Sequence, residues 1–117
     1  MGLKIALPTA DLIGVSGATT SLIDGTTSEL VPNTIYVTGV AETSNLSVTI
    51  PATANDGAVI LLKKLGSGNV SITDTNGDGT GTFPTVDGVV QTEDIVISNN
   101  QPVRFVFHSS SIGWIIT

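Results

Sequence analysis

The sequence predicts an all-β domain: a jelly-roll-like β-sandwich or barrel of seven or eight short strands, with an N-terminal arm. Three observations predict it. Val, Ile and Thr account for 42 of 117 residues, so over a third of the chain is β-branched and prefers extended backbone. Apolar and polar residues alternate with a period of two in several short runs, and no segment holds a 3.6-residue period long enough for a helix. From residue 32 onward, turn residues recur roughly every 8–12 positions, the spacing of sandwiches, jelly rolls and barrels.

The elements follow in order. Residues 1–31 read as an arm, because Pro8, Gly14, Gly17 and Gly25 break it and alternation is weak. Within it, Asp11–Val15 and Ser21–Ile23 are short strand candidates. Residues 32–117 form the sandwich domain. Pro32-Asn33 is a turn, and Thr34–Thr38 is β-branched or aromatic throughout. Leu46–Ile50 alternates, with Leu46, Val48 and Ile50 on one face, and Pro51 ends it. Asn55-Asp56-Gly57 turns the chain into Ala58–Lys64, a continuous apolar run that ends in charge, as expected of a strand buried on both faces. Gly66-Ser67-Gly68 turns again, and Asn69–Thr73 alternates. After the glycine-dense stretch Asp74–Gly81, Thr82-Phe83 is brief, Gly88 interrupts Val86–Val90, and Asp94–Ser98 is a short strand. Asn99–Pro102 is a turn. Val103–His108 places Val103, Phe105 and Phe107 on one face, and Trp114–Thr117 closes the chain.

Composition narrows the function. Charged residues make up 12% of the chain, about half the usual share. Net charge is −6, and only Lys4, Lys63, Lys64 and Arg104 are cationic, which excludes an electrostatic nucleic-acid binder. Lys63-Lys64 reads as a strand end whose charge discourages edge pairing. No apolar stretch approaches the roughly 20 residues of a membrane-spanning helix, so no membrane partner is expected. With no cysteine, thiol chemistry and disulfides are excluded.

No catalytic residues and no cofactor are expected. His108 is the only histidine, and Ser109, Ser110 and Ser111 beside it lack a nucleophile-elbow setting. Glu93-Asp94 are sequence neighbours whose side chains face opposite sides, unlike the facing carboxylates of a glycosidase. One ligand motif is present: Asp74, Asn76 and Asp78 occupy the first, third and fifth positions of a calcium-loop pattern, with Gly79 sixth. The pattern then fails, since its twelfth position is Thr85 and no helices flank it. A hairpin loop using Asn-Gly and Asp-Gly for positive φ is the simpler reading. Trp114, flanked by Ile112, Ile115 and Ile116, reads as a core or subunit-interface anchor.

The order of features carries a resemblance. Thr34-Ile-Tyr-Val37 is followed by Leu46-Ser-Val-Thr-Ile-Pro-Ala52. Then come Asn55-Asp-Gly57, Ala58–Lys63, Asn69-Val-Ser-Ile-Thr73 and an Asn/Asp/Gly loop. The chain ends on Val103-Arg-Phe-Val-Phe107 and Gly113-Trp-Ile-Ile116. This order, over residues 32–117, resembles a β-rich module of tailed-bacteriophage virions that recurs in head fibres, capsid decoration proteins and tail-fibre segments. It departs from the pattern in the short glycine stretch Gly66-Ser67-Gly68, and the leader 1–31 matches no part of it. The resemblance implies a non-enzymatic homotrimer on the capsid exterior, bound to the major capsid protein, with the leader as attachment arm or subunit-exchange segment. Leu3, Ile5, Leu7, Leu12 and Ile13 would then dock on the shell or a neighbouring subunit. Phe105, Phe107, Trp114 and Ile116 would line the core or the trimer axis.

Two readings compete with decoration. A fibre or spike module would bind a host receptor, but the chain has no coiled-coil or collagen-like shaft. A carbohydrate-binding sandwich would want exposed aromatic side chains or a calcium site, for which Tyr36, Trp114 and Asp74–Asp78 are the candidates.

Overall fold

The structure, a computed structural model, describes residues 19–25 and 27–117. Ten strands run through them. They are β1 (Thr19–Ile23), β2 (Thr34–Thr38), β3 (Leu46–Val48), β4 (Val59–Lys63) and β5 (Val70–Ile72), then β6 (Thr85–Val86), β7 (Val89–Val90), β8 (Ile95–Ile97), β9 (Val103–Ser109) and β10 (Gly113–Ile116). They form a seven-stranded sheet in the order β1-β2-β4-β9-β10-β6-β7 and a three-stranded sheet in the order β3-β5-β8. The all-β sandwich predicted from the sequence is the architecture found.

The winding differs from a jelly roll, whose strands pair antiparallel. From β2 to β5 the chain alternates between sheets, so β2 and β4 become parallel neighbours in one and β3 and β5 parallel neighbours in the other. The preceding turn follows the same path: β1 pairs parallel with β2, and Leu30 N donates to Thr49 O at 2.8 Å as the chain crosses past the small sheet. Parallel strands cannot be joined by a tight hairpin and need a long crossover, usually a helix. Here each crossover is itself a strand of the opposite sheet. β8, β9 and β10 then close the sheets with antiparallel pairs.

Residues 19–31, read from the sequence as part of the arm, join this winding. β1 is an edge strand of the large sheet, and Ile23 and Leu30 are fully buried. The stretch Val86–Val90 is two strands rather than one. Asp87 (φ 51°) and Gly88 (φ 83°) both take the left-handed conformation that a two-residue hairpin demands, so the glycine that interrupts the strand in sequence is its turn. Lys63 and Lys64 do not mark an edge, since β4 lies between β2 and β9. Lys63 is exposed, whereas Lys64 is buried and its Nζ donates to Gly66 O at 2.6 Å and to Asn100 Oδ1 at 3.0 Å.

The core lies between the sheets. Tyr36, Ile60, Leu62, Phe105, Phe107 and Trp114 of the large sheet pack against Leu46, Val48, Val70, Ile72 and Ile97 of the small one. Trp114 meets Phe107 edge-on at 5.2 Å, and its Nε1 donates to Pro51 O at 2.9 Å, which ties β10 to the end of the β3 segment. No buried side-chain nitrogen or oxygen among the described residues lacks a hydrogen-bond partner.

Candidate functional site

The outer face of the large sheet is the first candidate. Because Tyr36, Ile60, Phe105 and Trp114 point inward, the alternate positions point outward. The register aligns Thr20, Ile35, Leu61 and Arg104 in one row, Leu22, Val37 and Lys63 in a second, and Val59, Val106 and Ile115 in a third. Seven aliphatic side chains thus share a face that carries Lys63 and Arg104 but no carboxylate. None of the nine described Asp and Glu residues falls in a strand. Ile35 and Val59 form a small apolar cluster of their own, each only 6% exposed, with Leu61 and Val106 of the adjacent strands packed beside them. Strands in parallel pairings are usually covered on both faces, and apolar residues on both faces of β2 and β4 fit that rule. The signal was present in the sequence as the unbroken apolar run of Ala58–Lys64. What it lacked was the pairing that collects outward residues from five strands.

The second candidate is the Asp74–Gly81 loop. Asp74 is buried and holds the loop closed: its Oδ1 accepts from Gly79 N at 2.9 Å, and its Oδ2 accepts from Gly81 N at 2.5 Å and Asn76 N at 3.4 Å. Burial alone would raise its pKa, but the donations from Gly79, Gly81 and Asn76 outweigh it and hold the carboxyl below its ordinary value of 3.8. Asn76 donates its side-chain amide to Thr80 Oγ1. The Thr80 hydroxyl and N–H both donate to Asp78 Oδ1, at 2.6 and 3.0 Å. Those donations, the hydroxyl's first, lower the Asp78 pKa as well. The three residues at calcium-loop positions are thus brought into one network, in which the Asp74 and Asp78 carboxylates accept from the loop itself and Asn76 donates. Among the described residues, no group of three or more His, Asp or Glu side chains gathers as a metal-ligand set.

A polar groove of about 510 Å³ runs beside this loop across the small sheet, lined by Thr27, Ser28, Glu29, Ser47, Thr49 and Thr75 among others. Among the described residues its lining is mostly hydroxyls, with the Glu29 carboxylate and the Asn76 amide and no aromatic side chain.

The remaining sequence-predicted residues fall as follows. Phe105, Phe107 and Trp114 are core residues between the sheets, and Ile116 packs against them half-buried. His108 is exposed on β9. The hydroxyl of Ser109 pairs with that of Ser111 at 3.2 Å and accepts from Ile112 N at 3.3 Å. Glu93 and Asp94 are both exposed. Leu3, Ile5, Leu7, Leu12 and Ile13, together with the strand candidate Asp11–Val15, lie outside the described residues. The fold and these surfaces define a two-sheet β-sandwich with internal aromatic anchors and one aliphatic outer face. No protein-family model and no curated protein matches the chain.

Proposed function

We propose that the chain is a virion structural protein: a capsid decoration protein that binds the outer surface of a phage head as a homotrimer and stabilises it. The observation that carries this reading is a division within the chain. From residue 19 it is a self-satisfied sandwich whose Phe105, Phe107 and Trp114 are all internal. Before residue 19 stands an 18-residue segment rich in aliphatic side chains, with Lys4 and Asp11 as its only charges. A well-packed body behind an apolar arm suits a protein that clamps a shell, and the residue pattern of 32–117 supports a phage particle as the setting. The arm, through Leu3, Ile5, Leu7, Leu12 and Ile13, is the segment that contacts the major capsid protein.

The receptor-binding alternative uses the same body with exposed loops as the contact. The carbohydrate-binding alternative is weakened by Tyr36 and Trp114, its aromatic candidates, which are both buried. Co-sedimentation with intact particles tests the proposal. The full chain pellets with heads, and an electron-microscopy map shows added density at three-fold or quasi-three-fold positions. A chain beginning at Thr19, where β1 begins, stays in the supernatant. Equal pelleting of both chains would remove the arm from the mechanism, and pelleting of neither would remove decoration.

A further inference from the structure

We infer that residues 1–18 dock on the outer face of the large sheet of their own molecule. Two observations converge on that occupant. The face is aliphatic over five strands, and Ile35 and Val59 are almost fully buried although they point away from the core and the described hydrophobics packed on them lie beside them in the sheet. The segment that precedes the described chain is itself aliphatic, and it joins at Thr19, the first residue of the edge strand of this same sheet.

Reach and pattern agree with the assignment. Eighteen extended residues span up to about 60 Å, whereas the five strands β1, β2, β4, β9 and β10 present a face only about 19 Å wide. Leu3, Ile5 and Leu7 recur with a period of two, so an extended backbone turns all three to one side. The segment's two charged side chains, Lys4 and Asp11, cancel, so it brings no net side-chain charge to a face that carries Lys63 and Arg104. Two apolar surfaces on one chain, joined by a covalent tether, meet at an effective concentration in the millimolar range, which favours the intramolecular contact over a second copy in dilute solution. The inference does not rest on the shell-binding reading. If both hold, the arm has to leave this face to reach a shell.

Paramagnetic relaxation tests it on the full chain. The sequence has no cysteine, so Ala10→Cys takes a nitroxide at one position. In isotope-enriched, labelled protein, the amide signals of Ile35, Leu61 and Val106 lose more than half their intensity, while those of Ser71 and Val96 on the small sheet keep theirs. Adding Ile5→Asp and Leu7→Asp to the labelled chain restores the lost intensity without moving the other signals. No broadening on the large sheet, or broadening confined to the small one, would overturn the inference. A mixture of labelled, unenriched chain with enriched, unlabelled chain provides the second arm. Broadening of Ile35, Leu61 and Val106 in that mixture would overturn the own-molecule assignment and identify a neighbour's leader as the occupant.

Discussion

Trp114 does at residue scale what the sandwich needs at its centre. It is fully buried, meets Phe107 edge-on, and satisfies its indole N–H on Pro51 O, a residue 63 positions away. Trp114→Phe keeps an aromatic ring but leaves a gap and an unpaired carbonyl. The expected loss is about 2–4 kcal/mol, read from urea denaturation. Its neighbour Gly113 adopts φ 73°, and a Cβ there would collide with the backbone carbonyl of Thr85. Gly113→Ala therefore pairs an unfavourable φ with a backbone clash and costs at least about 2 kcal/mol, a fall of roughly 10 °C in a thermal melt. An unchanged melting temperature would mean that β6 does not lie against β10 as described. Trp114 as an anchor was legible in the sequence. The close approach at Gly113 was not, because it depends on a strand 28 residues earlier.

At the scale of elements, the Asp74–Gly81 loop is the sharpest case. Its Asx and glycine pattern was visible in the sequence, and so was its departure from a calcium loop. Invisible was the inward turn of Asp74, which makes the carboxylate a clasp for three backbone N–H groups. Because the folded pKa of Asp74 is lowered, its contribution to stability is present in full above the ordinary carboxylate range and is lost as pH falls through it. Asp74→Asn places an amide donor against a backbone donor and cannot ionise. The stability gap between the native chain and this variant is expected to be widest near neutral pH and to shrink below about pH 4. Denaturation curves at several pH values check this, and a gap independent of pH would assign the loop's closure to other groups. Thr80 acts similarly on Asp78, but at an exposed position. The Lys63-Lys64 pair shows the opposite kind of legibility. Charge at the end of β4 was correctly seen, but its meaning depended on β4 being an interior strand, where Lys63 is exposed and Lys64, just past the strand, is buried with its Nζ donating to Gly66 O and Asn100 Oδ1.

For the whole molecule, the proposed homotrimer predicts a light-scattering mass three times that of the chain at micromolar concentration. Each chain carries a net charge of −6, so added salt should screen repulsion between copies and oppose dissociation on dilution. A clean monomer at all ionic strengths would remove the trimer. What the sequence by itself determined is local: that the chain is all-β, where most strands lie, and which residues turn it. β-branching, two-residue alternation and Asn, Asp, Gly and Pro act within a few positions of themselves, so they can be read without a fold. The tertiary structure decided which strands share a sheet, that successive strands cross between sheets and pair parallel, and that Ile35, Val59, Leu61 and Val106 gather on an outer face while Phe105 and Trp114 face inward. Alternation shows that a strand has two faces, but outside the two hairpins strand partners lie 15 to 47 residues apart here, as in Thr19 with Thr34 and Val59 with Val106. Only the closing of the two sheets over a common core chooses which face is buried between them.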